Sequence, residues 1–214
     1  MKIDSLAVGS IGTNCYILQD EAAKLCAVID PGDEPERILS AVEQTGCTPT
    51  MILLTHGHFD HYTAVKGLLA AVKGRREKWP ELPVYIHESD VTDKPVGSFS
   101  LLFPRLPEKN QRYYKEGDRL TLGGLTITVL ETPGHSRGSV CLVVGDVIFS
   151  GDTLFHGSCG RTDFAGGSYE DILHSLKKLA QLPGQYQVYP GHDRSTNLDF
   201  ERRVNPYVKQ GLRK

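Results

Sequence analysis

The sequence lacks a paired-cysteine motif, a long apolar run and a strong net charge, and each absence excludes a class of protein. Its five cysteines are an odd number without a C-x-x-C pair, which predicts reduced thiols rather than a disulfide framework or a thiolate zinc site. No apolar run approaches the roughly 20 residues that cross a bilayer. A formal net charge of −2 gives no bulk attraction to nucleic acid or to an anionic membrane.

The composition is that of an ordinary globular protein. Hydrophobic residues make up 39% of the chain and charged residues 23%, which argues against a disordered protein. The length of 214 residues suits one α/β domain, so we expect a single domain over residues 1–214. Polar residues interrupt the segment 1–18, which therefore lacks the apolar core of a signal peptide, and we expect a cytoplasmic protein.

Short β-prone runs alternate with helical stretches, which predicts an α/β fold. The two successive sets of strands and helices predict two sheets stacked face to face with helices outside. Residues 95–117 have weak periodicity and are expected to form a connecting segment, either a lid or a packed surface loop. The predicted strands are 15–18, 25–29, 50–54, 84–87, 120–122, 125–130, 140–144, 147–150 and 186–189, and the predicted helices are 35–45, 62–72, 168–182 and 197–204.

The segment 55–61 carries most of the chemical information. Three imidazoles and a carboxylate, from His56, His58, Asp60 and His61, follow an apolar strand and precede a helix. Neutral imidazole and carboxylate are ligands that borderline divalent metals prefer. Residues two apart on an extended strand end point the same way, so His56 and His58 can bind one ion together. Asp60 and His61, at the bend into the helix, can point at a second ion, whereas a solvated polar loop is the alternative.

Three further ligand-type residues occur in a shared context. His135, Asp152 and His192 each come directly after a predicted strand, in a turn that contains glycine. Strand ends of this kind are where α/β proteins build their sites. Their repetition together with the 55–61 segment favours metal ligands over isolated polar turn residues. His87, His156 and His174 lack the context and are not predicted to be ligands.

These motifs resemble the metallo-β-lactamase-fold hydrolases along nearly the whole chain. The resemblance rests on Asp30-Pro31-Gly32, the 56–61 motif, Gly134-His135, Gly151-Asp152 and Gly191-His192 in that order. It implies a four-layer αββα sandwich with two divalent metal ions, zinc first and iron or manganese as alternatives. It implies that His56, His58 and His135 bind the first metal, that Asp60, His61 and His192 bind the second, and that Asp152 bridges both. Asp30 is expected to orient the histidine loop through hydrogen bonds.

Within that superfamily the chain is most similar to the glyoxalase II group, the hydroxyacylglutathione hydrolases. The segment 191–206 follows that group's pattern, and residues 157–167 resemble its substrate loop. Arg161 and Asp163 occupy the positions where that group has a glutathione-binding lysine and tyrosine, which makes them candidate substrate-binding residues. The chain resembles a short form that ends without the group's C-terminal helical domain.

This resemblance implies hydrolysis of a 2-hydroxyacyl thioester to a hydroxy acid and a thiol. Two divalent ions about 3.5–4 Å apart can share a water whose pKa falls to about 7, and the bridging hydroxide then attacks the acyl carbonyl. Asp60 is expected to orient that hydroxide as a catalytic residue as well as to bind metal. The expected partner is a small-molecule thioester, and neither a nucleic acid nor a membrane is expected to bind. No pattern in the sequence indicates an oligomeric state.

The main alternative is an iron-dependent persulfide dioxygenase. Residues 157–164 also resemble that group, in which two imidazoles and one aspartate, here Asp152, hold a single iron. The pattern after His192 favours the hydrolases. Three other functions would each need a feature that the sequence does not indicate. A periplasmic β-lactamase would need an export signal, a nuclease would need a basic groove, and a structural zinc protein would need a closed thiolate site.

Overall fold

A computed structural model describes residues 1–75, 79–92 and 106–213 and contains two six-stranded β-sheets. One apolar cluster lies between the two sheets. A second lies between the first sheet and its helices, and a third lies between the second sheet and its helices. The layers therefore run helix, sheet, sheet, helix, and the predicted αββα sandwich is confirmed.

The first sheet has its six strands in chain order. The strands β1, β2 and β3 pair antiparallel, whereas β3, β4, β5 and β6 pair parallel. Because parallel strands end at the same edge, the loops after β3, β4 and β5 lie side by side. The bounds are β1 Lys2–Val8, β2 Thr13–Asp20, β3 Leu25–Ile29, β4 Thr48–Leu53, β5 Val84–His87 and β6 Gln111–Tyr114.

The second sheet has the order β14-β13-β10-β9-β8-β7. The strands β7 to β10 form an antiparallel meander, and β13 joins β10 in parallel after a helix. A separate two-stranded hairpin follows β10. The bounds are β7 Arg119–Leu122, β8 Leu125–Glu131, β9 Val140–Val144, β10 Val147–Gly151, β11 Leu154–Phe155, β12 Ser158–Cys159, β13 Gln187–Pro190 and β14 Thr196–Asn197.

The helix ends follow from local sequence chemistry. The first helix starts at Pro35 and ends at Thr45, and Gly46 caps it with a φ of 68°, the left-handed conformation that glycine favours. The fourth starts after Ser168, whose hydroxyl accepts a hydrogen bond from Asp171 N. None of the helices in the described ranges has the length and apolar character to cross a membrane. The bounds are α1 Pro35–Thr45, α2 Val65–Lys73, α3 Ser89–Thr92, α4 Tyr169–Ala180, α5 Leu198–Val204 and α6 Pro206–Arg213.

The central strands are buried on both faces, which explains their unbroken apolar runs. In β3, Cys26 and Val28 belong to the cluster under α1 and α2. Ala27 and Ile29 belong to the cluster between the sheets. Because alternate side chains of β3 pack in two different apolar clusters, the carboxyl end of the strand is held in a fixed position. The candidate functional loops begin at this end of the sheet.

Several predictions of local structure were incomplete or wrong. β1 and α6 were not predicted, since each is largely exposed and has few buried apolar side chains. The helix predicted over 62–72 begins only at Val65, because residues 62–64 form a turn after the 3-10 helix Phe59–His61. In the predicted connecting segment 95–117, Gln111–Tyr114 forms the edge strand β6. Within the segment 95–117 that was interpreted as a lid or a packed surface loop, residues 95–105 lie outside the described residues.

Candidate metal centre

The predicted ligands come together at one end of the sandwich, where strands of both sheets end. The loop 55–61 follows β4, and His135 follows β8. Asp152 follows β10, and His192 follows β13. Because β10 and β13 pair in parallel, their carboxyl ends deliver Asp152 and His192 to the same edge.

The first donor group consists of His56, His58 and His135, one ring nitrogen of each lying within 4.8 Å of the others. His58 Nδ1 lies 2.7 Å from His135 Nε2. The ring of His56 lies 4.8 Å, centre to centre, from each of the other two rings. Three buried imidazoles therefore face one point, although residue 135 is 77 positions from residue 58.

Hydrogen bonds on the far side of the first group select the nitrogen that faces inward. His135 Nδ1 lies 2.7 Å from the carbonyl oxygen of Arg161, which can only accept. His135 therefore carries its proton on Nδ1, and its Nε2 lone pair faces the other imidazoles. His56 Nδ1 lies 3.2 Å from the hydroxyl of Thr55, which leaves Nε2 directed into the cluster.

The second donor group consists of Asp60, His61 and His192. Asp60 Oδ2 lies 3.2 Å from His192 Nε2 and 3.6 Å from His61 Nε2. Gly191 allows this approach, because a Cβ there would collide with Asp152 Oδ1 and the His61 ring. The sequence Gly191-His192 thus places an imidazole where the backbone passes directly beside the other donors.

Asp152 lies between the two groups. Its Oδ2 is 3.5 Å from His135 Nε2 of the first group and 3.6 Å from His192 Nε2 of the second. Its Oδ1 is 3.4 Å from His61 Nε2. This position fits the bridging role expected from the sequence.

Asp30 holds the histidine loop from behind. Its Oδ1 accepts a hydrogen bond from Thr55 N at 2.8 Å, and its Oδ2 accepts one from Thr55 Oγ1 at 2.6 Å. His61 Nδ1 lies 3.0 Å from Asp30 Oδ2, which turns His61 Nε2 toward the donors. The backbone of Asp30 has φ of 50°, so the chain turns sharply at the end of β3. These contacts hold Thr55 and the ring of His61 in place, and the role of Asp30 in orienting metal ligands stays a prediction.

The donor atoms fit metal ions because several of them have no protein partner. Among the described residues, His56 Nε2, His61 Nε2 and Asp152 Oδ1 are buried without a hydrogen bond. An orphaned buried polar atom costs about 1–3 kcal/mol, so three in one cluster would destabilise the fold without a ligand. The same three residues form a third group whose donor atoms lie within 4.8 Å. Imidazole and carboxylate donors in this arrangement suit two divalent cations.

Electrostatics prepares several donors in the form that binds metal. Burial lowers the pKa of His58 to about 4, and burial together with neighbouring imidazoles lowers the pKa of His56 well below its usual range. Burial alone would raise the pKa of Asp152, but the positive charge of the neighbouring His61 ring outweighs burial and lowers that pKa. At neutral pH His56 and His58 are therefore neutral imidazoles, and Asp152 is an ionised carboxylate.

The histidines of the second group respond to their acidic neighbours. Burial alone would lower the pKa of His61, but the charges of Asp152 and Asp30 raise it well above the usual value. Burial also acts to lower the pKa of His192, and its hydrogen bond with Asp60 raises it. Without a metal, protons compensate the carboxylates, and a cation would displace them.

One carboxylate at the site was not predicted from the sequence. Asp90, buried in α3, accepts hydrogen bonds from Gly57 N at 2.7 Å, Ser136 Oγ at 2.8 Å and Gly138 N at 2.7 Å. It therefore ties the loop of His56 and His58 to the loop of His135. Burial raises the pKa of Asp90, while its hydrogen bonds act in the opposite direction. Its place three residues after β5 is the sequence signal that could have revealed it.

The two predicted substrate-binding residues pair with each other. Arg161 Nε lies 2.7 Å from Asp163 Oδ1, and Arg161 Nη2 lies 2.6 Å from Asp163 Oδ2. Arg161 lines a pocket of about 510 Å³ that also contains His58, Asp60 and His192. The substrate-binding role of both residues remains a prediction.

Comparison with known families and proteins agrees with this geometry. The family described as the metallo-beta-lactamase superfamily matches residues 8–192. The chain is 38% identical to the probable metallo-hydrolase YqgX of Bacillus subtilis, covering 97% of this chain and 98% of the relative. It is 33% identical to hydroxyacylglutathione hydrolase GloC of Haemophilus influenzae, covering 97% and 98%.

Solved structures with similar sequences share the fold. The BLEG-1 B3 metallo-beta-lactamase has a TM-score of 0.81 at 32% identity, covering 97% of this chain and 99% of that chain. ETHE1 from Myxococcus xanthus has a TM-score of 0.79 at 30% identity, covering 98% and 85%. TTHA1623 in a di-iron-bound form has a TM-score of 0.78 at 38% identity, covering 95% and 99%.

Proposed function

The chain belongs to the metallo-beta-lactamase superfamily, and from that premise we propose that this metal-dependent hydrolase cleaves acyl thioesters. The proposed substrate is a 2-hydroxyacyl thioester, which yields a hydroxy acid and a thiol. The observation that carries the proposal is the pair of neighbouring donor groups with Asp152 between them. The similarity to the hydroxyacylglutathione hydrolase GloC supports the thioester as substrate class.

The proposed ligands are His56, His58 and His135 for one metal and Asp60, His61 and His192 for the other, with Asp152 shared. When bound, two divalent cations would lower the pKa of a water molecule and polarise the acyl carbonyl. Zinc suits these imidazole and carboxylate donors, and the similarity to a di-iron-bound structure makes iron the next candidate.

Asp60 is the residue that we assign to the attacking water. It lines the pocket, and its Oδ2 accepts a hydrogen bond from Thr13 Oγ1 at 3.1 Å. Burial alone would raise the pKa of Asp60, but its contacts with His192 and His61 lower it, so the side chain is ionised at neutral pH. It can then accept a hydrogen bond from water and direct the oxygen lone pair at the acyl carbon.

The reaction balances without a redox partner. The water oxygen forms a bond to the acyl carbon, and the C–S bond breaks with its electron pair moving to sulfur. The two protons of the water pass to solvent, the thiolate takes up one proton in exchange, and the acid departs as a carboxylate. Because a thiolate is a good leaving group, the site needs no further side chain as a general acid.

A second candidate function is the iron-dependent persulfide dioxygenase reaction. The resemblance of residues 157–164 to that group and the overall similarity to ETHE1 favour it. That reaction would need one iron on two imidazoles and Asp152, and it would leave the group of Asp60 and His192 without a part in the chemistry.

Metal analysis combined with two assays separates the candidates. We expect two metals per chain by mass spectrometry, thiol release from 2-hydroxyacyl thioesters, and no oxygen uptake with a thiol persulfide. Asp60→Asn should lower kcat by about 10²-fold or more, whereas Asp146→Asn, an exposed substitution in the β9–β10 turn, should not. One iron per chain with oxygen consumption would favour the dioxygenase, and a metal-replete protein without thioester turnover would reject the hydrolase.

A further inference from the structure

We propose that the pocket beside the donor groups selects thioesters whose thiol part is apolar and uncharged, and that it discriminates against anionic thiols such as glutathione. The inference rests on the proposed thioester hydrolysis and concerns the half of the substrate that leaves. It follows from the pocket walls and from the Arg161–Asp163 pair.

The pocket walls outside the donor groups are mostly apolar. Ile11, Phe59, Phe155 and Phe164 line the volume of about 510 Å³ that opens from His58, Asp60 and His192. A volume of this size holds a small ligand. A thiol part that extends from the donor groups would therefore lie against aliphatic and aromatic carbon.

The opening of the pocket presents apolar side chains to water. Ile11 is 54% exposed, Phe59 is 40% exposed and Phe164 is 37% exposed. Grouped exposed apolar side chains at a pocket mark a surface that a ligand covers. Covering them with an apolar thiol part would stabilise the complex in proportion to the area removed from water.

The guanidinium that the described pocket walls contain is already paired. Arg161 is the only lysine or arginine among the described residues that line the pocket. The Asp163 carboxylate accepts hydrogen bonds from Arg161 Nε at 2.7 Å and from Arg161 Nη2 at 2.6 Å. The guanidinium carbon of Arg161 lies 4.0 Å from the centre of the Phe164 ring. The Asp163 carboxylate cancels the charge of Arg161 and would repel a second carboxylate nearby.

The pair is anchored beside the donor groups. The carbonyl oxygen of Arg161 receives the hydrogen bond from His135 Nδ1 at 2.7 Å, so the backbone at Arg161 is attached to the first donor group. A thiol part that leaves the donor groups along this wall meets a neutral pair instead of a free cation. An anionic group there would gain no unpaired cation and would meet the negative charge of Asp163.

A matched pair of substrates tests the inference with the metal-replete protein. The lactoyl thioesters of 3-methylbutanethiol and of 3-mercaptopropionate have thiol parts of nearly the same shape, and they differ by one negative charge. We expect kcat/KM to be higher for the uncharged thioester on the order of tenfold. Lactoyl-glutathione should rank with the anionic thioester.

Two variants localise the effect. Asp163→Asn frees the charge of Arg161 and should raise kcat/KM for the anionic thioester about 3- to 10-fold, with little change for the uncharged one. Asp146→Asn makes the same charge change away from the pocket and should alter neither. Ile11→Ser should lower kcat/KM for the uncharged thioester about 3- to 10-fold, whereas Leu212→Ser, at an exposed leucine outside the pocket, should not.

Binding measurements separate this inference from the proposed reaction. Calorimetric titration uses unreactive thioethers with the same two thiol parts, and we expect the uncharged thioether to bind more tightly to the metal-replete protein. If it binds preferentially but no thioester is hydrolysed, the pocket inference stands and the proposed reaction fails. A preference for the anionic compounds, or an equal response to Asp163→Asn and Asp146→Asn, would overturn the inference even if thioesters are hydrolysed.

Discussion

Replacing Asp90 by asparagine should weaken both the fold and one half of the metal centre. The carboxylate receives three hydrogen bonds, from Gly57 N, Ser136 Oγ and Gly138 N. It is the link between the loop of His56 and His58 and the loop of His135. Asparagine has nearly the same shape but only one acceptor oxygen, so the substitution removes acceptors without making a cavity.

The expected magnitude follows from the number of donors left without an acceptor. If the amide oxygen keeps the bonds from Gly57 N and Ser136 Oγ, the amide nitrogen faces the N–H of Gly138 and leaves that donor unsatisfied. Hydrogen bonds to a charged group contribute about 1.5–3 kcal/mol each, so Asp90→Asn should lower the free energy of unfolding by about 2–3 kcal/mol. Asp90→Ala removes both acceptor oxygens, and with them all three hydrogen bonds, and should cost about 4 kcal/mol or more.

Metal affinity should fall in one group more than in the other. Gly57 lies between His56 and His58, and Ser136 follows His135, so the bonds to Asp90 position all three imidazoles of the first group. Loss of such an outer hydrogen bond commonly lowers metal affinity about 10- to 100-fold. Among the described residues, Asp90 makes no hydrogen bond with the group of Asp60 and His192, so that group should keep its metal affinity.

Denaturant unfolding of the chelator-treated protein, followed by circular dichroism, measures the stability change apart from any metal loss. Competition titration with a chromogenic chelator then resolves the two binding steps. Asp146→Asn is the control for removing a surface carboxylate. Wild-type stability in Asp90→Asn, or equal weakening of both metal-binding steps, would refute the coupling described here.

Three further predictions test the centre and the pocket. Asp152→Ala should lower the metal content below two per chain by mass spectrometry, and an unchanged content would contradict the bridging assignment. Chelation should lower the thermal unfolding midpoint, and metal at about 100 times its Kd should restore about 2.7 kcal/mol of stability in calorimetry, whereas an unaffected midpoint would argue against the orphaned donor atoms as the metal site. The hydrogen bonds from Arg161 lower the pKa of Asp163 to about 2, so its carboxylate is ionised at every pH above that value. The ratio of kcat/KM between Asp163→Asn and wild type for the anionic thioester should therefore stay constant from about pH 5 to about pH 8, and a ratio that falls toward one at pH 5 would contradict this assignment.

Much of the architecture could be predicted because the signals are local. The helix from Pro35 to Gly46 has its proline and glycine at the ends where helices favour them, and its predicted bounds match the observed α1. The strand Leu25–Ile29 also has the predicted bounds, because burial on both faces leaves an unbroken apolar run between polar turns. The edge strands β1 and β6 were missed for the opposite reason, since polar exposed faces remove that signal.

The donor residues of the candidate metal centre could also be predicted from the sequence. Imidazoles and carboxylates directly after predicted strands can be recognised as candidate metal donors without knowledge of the sheet order. The structure brings four of them, His56, His135, Asp152 and His192, to one end of the sandwich. The strand pairing that brings these residues together could not be predicted from the sequence, because sheet order depends on contacts between distant segments.

Local residue chemistry was therefore sufficient for the donor types, the turns and the amphipathic elements. Long-range packing alone sets the approach of His58 to His135, the contact of His135 with Arg161 and the link through Asp90. These features are hydrogen bonds between residues that lie 26 to 77 positions apart, such as His135 with Arg161 and His58 with His135. Their geometry exists only after both sheets have packed, because a hydrogen bond requires its two atoms to meet within a few tenths of an ångström.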